Sequence, residues 1–154
     1  MTEGEQARLV AWSTELRRAH GRLREALEVT RAAVRSGTSA DAAPRDLLLY
    51  CHGFCAALTG HHEGEDRELF PAIAAAHPEL RTTLRQLEQD HAMIAHLLSQ
   101  MLAAAGTLPD QLDPHLDGIA AIMESHFRHE ETALLSVLET LALDADPEQV
   151  LGPL

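Results

Sequence analysis

The chain has no lysine. All twelve of its cationic side chains are arginine, set against 24 acids for a formal net charge of −12. A surface of that sign repels a phosphate backbone, so nucleic acid is not an expected partner. Aromatic residues are scarce as well, with three Phe, one Trp and one Tyr. That scarcity, beside abundant Ala and Leu, disfavours a sheet-built core and favours helices. No run reaches the roughly 18 apolar residues of a membrane span, so no membrane partner is expected. The polar opening Met1-Thr2-Glu3-Gly4-Glu5 does not read as a signal peptide. There are two cysteines, Cys51 and Cys55, four apart in a helical pattern. They read as small reduced core residues rather than a disulfide, which fits a reducing cytoplasm. At 154 residues the chain reads as one domain, 1–154, with its core over about 5–143.

Histidine is what the composition has in excess: ten of them. The densest cluster is His61-His62-Glu63-Gly64-Glu65-Asp66-Arg67-Glu68, followed by Leu69-Phe70-Pro71. His61 and Glu65 are four apart, so on a helix they leave the same face one turn from each other. A buried carboxylate on that face is costly unless something positive meets it, and a metal ion would do so.

The periodicity predicts four amphipathic helices. The first runs from about Glu5 to Arg35, with Leu9, Trp12, Leu16, Leu23, Leu27 and Val34 as its buried stripe and His20 on that stripe. Ser36 to Asp41 reads as a loop. The second helix starts near Pro44. Its seam is Leu47, Cys51, Phe54, Leu58, His61, Glu65, Glu68 and Ala72, in strict alternation of four and three. His62, Glu63 and Asp66 turn away from that line and read as solvated or supporting residues. Pro71 is expected to kink or end the helix. The third helix, from about Pro78 to Ala105, carries Leu80, Leu84, Leu87, His91, Ile94, Leu98 and Met101, with His96 on the exposed side. The fourth is capped by Asp113-Pro114, or starts at Pro109 and bends. Its seam is Leu116, Ile119, Met123, His126, Glu130, Ala133 and Val137. The tail after Leu143 reads as a cap or a frayed end.

Short loops between such helices predict an all-α, up-down-up-down antiparallel four-helix bundle. The polar interruptions lie at similar depths in it. His20 is 16 residues before Ser36 and His61 is 17 after Pro44, while Glu65 is 12 before His77 and His91 is 13 after Pro78. His91 is also 15 before Gly106, and His126 is 12 after Pro114. At ~1.5 Å per residue all sit about 18–26 Å from the loops. His20, His61, Glu65, His91, His126 and Glu130 are therefore the candidate metal ligands. A faint repeat supports this: His61-x-x-x-Glu65 recurs as His126-x-x-x-Glu130, and Leu16…His20…Leu23 resembles Leu87…His91…Ile94. Four imidazoles, two bridging carboxylates and one solvent-derived oxo or hydroxo bridge make about ten bonds, two short of two octahedral ions. That is too rich for one zinc, and the mixed donors suit iron or manganese.

A histidine in the first helix, HxxxE with Leu-Phe-Pro in the second, an acid followed by histidine in the third and HxxxE in the fourth resemble the hemerythrin-like (HHE cation-binding) proteins of bacterial type. The resemblance spans Leu16 to Leu138 and implies a bundle around a non-haem centre of two iron ions that reacts with dioxygen or its reduced forms. The six candidate residues match the family's ligand positions. The pattern departs from the animal members in two places. Their second histidine of the third helix corresponds to Ala95, with His96 one step off, and their last carboxylate corresponds to Glu131 rather than Glu130. Loss of that fifth histidine implies a more open metal there and favours redox chemistry over reversible carriage. His62 and His129 flank the site, and no general acid or base is assigned. The expected small ligand is dioxygen, peroxide or nitric oxide. The resemblance leaves oxygen binding, carriage or sensing, a peroxide-decomposing or nitric-oxide-handling enzyme, and iron storage or delivery as competing functions.

Overall fold

The computed structural model describes residues 10–37, 44–107 and 109–152, and these form an all-α fold. Helices α1 (Trp12–Gly37), α2 (Pro44–Gly64), α3 (Phe70–Ala76), α4 (Arg81–Thr107), α5 (Leu112–Leu138) and α6 (Pro147–Leu151) follow in order. A π-helical turn, Glu65–Leu69, joins α2 to α3, and 3-10 turns at Pro78–Leu80 and Pro109–Gln111 lead into α4 and α5. Helix α1 packs against α2 and α5, and α4 packs against the same two, which closes a ring of four columns. The charged pairs Arg24–Glu124, Arg31–Asp117 and Arg35–Asp113 step up α1 while they step down α5, so these columns run antiparallel. As exposed pairs they fix register more than they stabilise, at roughly 0.2–1 kcal/mol each.

The buried side chains fall into two apolar clusters. One holds Leu23, Leu27, Phe54, Leu58, Ile94, Leu98, Met123 and Phe127 among others. The other holds Trp12, Leu16, Leu69, Phe70, Ile73, Leu84, Leu87, Leu134 and Leu138. The predicted polar residues lie between the two sets along every column, so the site is a polar layer inside a divided core.

The expected boundaries shift in ways that bear on the site. Helix α1 begins at Trp12, not near Glu5, because the described Val10 and Ala11 are not helical. Trp12 is buried there, and its indole Nε1–H donates to the Leu143 carbonyl at 2.9 Å. Residues 5–9, including Leu9, and the loop residues 38–43 lie outside the described residues, and so does the side chain of Leu47. Helix α5 is entered through the turn at Pro109, the earlier of the two expected starts.

Pro71 neither ends the second column nor kinks it alone. It sits in the first turn of α3, directly after the π turn, where the Phe70 N–H reaches back to the Glu65 carbonyl. Proline cannot donate to the carbonyl four residues earlier and its ring collides with it, and the widened turn relieves both problems. The extra residue also rephases the column. Glu68, expected on the seam, is exposed, and Ala72 is only partly buried; Leu69, Phe70 and Ile73 take the core instead. In α5 the core drifts forward by one residue after Glu130, from the expected Ala133 and Val137 to Leu134 and Leu138. A helix of about 3.6 residues per turn walks off a strict seven-residue repeat in this direction.

Candidate metal centre

Each column contributes polar residues to the layer: α1 gives His20, α2 gives His61 and His62, the π turn gives Glu65, α4 gives His91, and α5 gives His126 and Glu130. All seven side chains are buried. The structure thus brings together the six residues expected from the sequence and adds His62, expected as a solvated or supporting residue beside the site. Glu63 and His96 are exposed as expected, and Asp66 is partly exposed.

The donor atoms form two groups, His20–His61–Glu65–Glu130 and His62–Glu65–His91–His126, each with its donor atoms within 4.8 Å of one another. Glu65 belongs to both. His20 Nε2 is 3.2 Å from Glu130 Oε1, and His61 Nε2 is 3.2 Å from Glu65 Oε1. His126 Nε2 is 3.1 Å from Glu130 Oε2, and His91 Nε2 is 3.5 Å from Glu65 Oε1 and 3.0 Å from His126 Nε2. Atoms at right angles on one ion, with bonds of about 2.1 Å, are about 3.0 Å apart, so these spacings suit a shared metal.

The outward nitrogens are held from behind. His61 Nδ1–H donates to the Leu151 carbonyl at 2.8 Å, His91 Nδ1–H to Asp66 Oδ1 at 2.7 Å and His126 Nδ1–H to Asp90 Oδ2 at 3.1 Å. Each bond fixes the ring and leaves Nε2 facing the layer, as metal-binding imidazoles require. His20 Nδ1 lies 3.4 Å from Glu131 Oε2 without the alignment of a hydrogen bond. Glu131 therefore stands behind His20, while Glu130 faces inward. Phe127 stacks on His20 at 3.8 Å and 8°.

The C-terminal segment belongs to this support. Helix α6 is capped by Asp146, whose side chain accepts from the Glu148 N–H. The helix docks on α2 where Gly64 has no side chain, and a Cβ at Gly64 would lie 2.0 Å from the Val150 carbonyl oxygen. The tail is thus a cap over His61.

The protein's own groups satisfy the layer badly. His61 Nε2, His62 Nε2, both Glu65 carboxylate oxygens and Glu130 Oε2 are buried with no hydrogen-bond partner. Native cores rarely leave such groups unpaired, and five in one layer is the signature of a site that fits metal ions. The titration behaviour agrees. Burial, helped by neighbouring His20, pushes the His61 imidazole down to about 3, and burial with His91 beside it pushes His62 well down. Burial and the adjacent Glu130 carboxylate push Glu65 well up. Burial also opposes charge on Glu130 and His91, but the polar side chains close around them outweigh it. Glu65, His126 and His20 hold Glu130 well down, and Asp66, Glu130 and Glu65 raise His91 to about 11.

Sequence reasoning missed His62 because it followed a single line of positions. A signal existed: Cys55 is buried core, and His62 lies seven residues on, at the same heptad position. The two cysteines are free and buried, burial raises both thiols, Cys55 to about 12, and neither belongs to a donor group among the described residues.

No helix among the described residues is long and apolar enough to cross a membrane. A family model described as the hemerythrin HHE cation-binding domain matches residues 13–147. Comparisons with curated proteins and with solved structures give no match.

Proposed function

We propose, for a chain that belongs to the hemerythrin HHE cation-binding family, that the layer holds two iron ions and that this centre binds dioxygen or its reduced forms. The observation that carries the reading is Glu65, the one carboxylate common to both donor groups and the natural bridge between two ions. Iron, when bound, supplies one-electron chemistry towards dioxygen, peroxide or nitric oxide. Imidazole and carboxylate together favour iron over a thiolate-preferring metal. The chain's own residues do the rest. Glu65 and Glu130 neutralise the cations, the imidazoles are aimed by Leu151, Asp66 and Asp90, and the two apolar clusters keep bulk water out.

A second reading, peroxide decomposition, draws on a cavity of about 210 Å³ that reaches His62 and His91, with Glu63, Asp66 and Glu88 in its walls. Carboxyl groups so placed are able to relay protons.

The test is to load the protein with iron, reduce it and admit dioxygen while recording the visible spectrum. The proposal expects a charge-transfer band that appears with dioxygen and disappears under inert gas. Dioxygen release from added peroxide, lost in Glu65→Ala, supports the second reading instead. A spectrum indifferent to both would remove the functional proposal.

A further inference from the structure

We infer that the cleft between α2 and α4 is the route by which divalent cations enter the layer, with Glu63 and Glu88 at its mouth drawing them in. The inference rests on the metal-centre reading above and adds to it a path and the charges that steer along it.

The cleft encloses about 210 Å³ and runs from an exposed rim to a buried floor. Helix α2 supplies Glu63 to the rim and His62 to the floor. Helix α4 supplies Glu88, Ala92 and Ala95 to the rim and His91 to the floor. Both floor histidines belong to the donor group that also holds Glu65 and His126. His62 is only 5% exposed, and its Nε2 is buried with no hydrogen-bond partner. The inner end of the cleft therefore lies against the unsatisfied layer.

The charge of the walls selects what passes. Glu63, Asp66 and Glu88 line the cleft and no arginine does. Asp66 is committed to His91 Nδ1–H at 2.7 Å, whereas neither Glu63 nor Glu88 has an ion-pair partner among the described residues. Two other cavities offset their acids with cations, Arg81 and Arg85 in one between α3 and α4, Arg18 and Arg22 in one beside α6. Neither of those is lined by a donor residue. Low-dielectric walls focus the field of unpaired carboxylates, so a dication is drawn into the first cleft and not into the other two. Two further sides of the layer are covered. Helix α6 packs over α1 and α2, and Arg24 lies 5.3 Å above the Phe127 ring that stacks on His20.

The experiment is stopped-flow uptake of Co(II), a divalent probe whose visible bands report binding, by the metal-free full chain. It is run at about 10 mM and about 1 M salt, where charges are screened beyond about 30 Å and about 3 Å. Glu63→Gln combined with Glu88→Gln should slow the second-order rate about tenfold at the lower salt, and the gap should close at the higher. Glu25→Gln combined with Glu28→Gln makes the same change in net charge at exposed positions of α1, across the bundle from α4. That pair should leave the rate within about twofold. Ala92→Phe combined with Ala95→Phe narrows the cleft from exposed positions and should slow uptake at both salt concentrations, with the final Co(II) stoichiometry unchanged. No slowing by the cleft Gln pair, or equal slowing by both Gln pairs, would overturn the steering. Wild-type rates in the Phe pair would overturn the route, and either result leaves the metal centre standing. A wild type that takes up no Co(II) would instead overturn the metal-centre reading, and the route with it.

Discussion

His91 Nε2 and His126 Nε2 face each other at 3.0 Å, while the Nδ1 atoms of both rings are tied to carboxylates, Asp66 and Asp90. Two imidazoles in this pose have one place to send their lone pairs, and without metal only a proton can sit between them. Burial lowers His91, but Asp66, Glu130 and Glu65 outweigh it and raise the imidazole to about 11. Metal uptake below that value is expected to displace a proton from His91. Binding at neutral pH should therefore release protons, and apparent affinity should rise about tenfold per pH unit for each proton displaced. Calorimetric titrations in buffers of different ionisation enthalpy measure the release, and none at pH 7 would contradict the assignment.

The same groups set the pH dependence of the metal-free fold. His91 has a folded value above the unfolded 6.5, so its contribution is complete below about 6.5 and is lost as pH rises towards 11. His61 is depressed to about 3, so the unfolded chain gains its proton first and stability falls as pH drops from 6.5 towards 3. Midpoints of urea unfolding should therefore peak near neutrality in the metal-free protein, and a midpoint rising steadily from pH 6 to pH 9 would oppose this.

Glu65 should show opposite signs with and without metal. Glu65→Leu removes a buried carboxyl group whose oxygens have no hydrogen-bond partner, which should stabilise the metal-free protein by roughly 1–3 kcal/mol. It also removes the donor common to both groups, so both metal equivalents should weaken. His20→Ala, by contrast, touches one group and should weaken one equivalent. Chemical unfolding with and without Fe(II) separates the two effects.

Gly64 tests whether α6 supports the site. Gly64→Ala forces a Cβ against the Val150 carbonyl and should cost about 1–3 kcal/mol. Because the Leu151 carbonyl holds His61, the variant should also bind metal more weakly. Gly60→Ala is the control. Nothing lies within 4 Å of its Cβ, one turn before the end of α2, and it should stabilise by about 0.5–1 kcal/mol. A Gly64→Ala protein with unaltered metal affinity would detach α6 from the site.

His20, His61, Glu65, His91, His126 and Glu130 were legible because each interrupts an apolar seam, and because equal depth in an antiparallel bundle is a matter of counting. His62 was not, since one line of a/d positions is narrower than the face the bundle buries around its polar layer. The π turn was hidden for a different reason. Pro71 announces a disturbed helix, but whether the chain kinks, stops or takes in an extra residue depends on what packs beyond it, here Leu69, Phe70 and Ile73. The docking of α6 leaves even less trace, because Pro147–Leu151 is too short to carry a period. Asp90 and Asp66 look like surface acids until the rings they hold are in place.

Iron per chain is the most direct measure of the whole account. Anaerobic loading with excess Fe(II), removal of unbound metal and quantification should give two irons per chain in wild type and essentially none in Glu65→Ala. One iron or fewer in the wild-type protein, or two in Glu65→Ala, would contradict a centre built around Glu65.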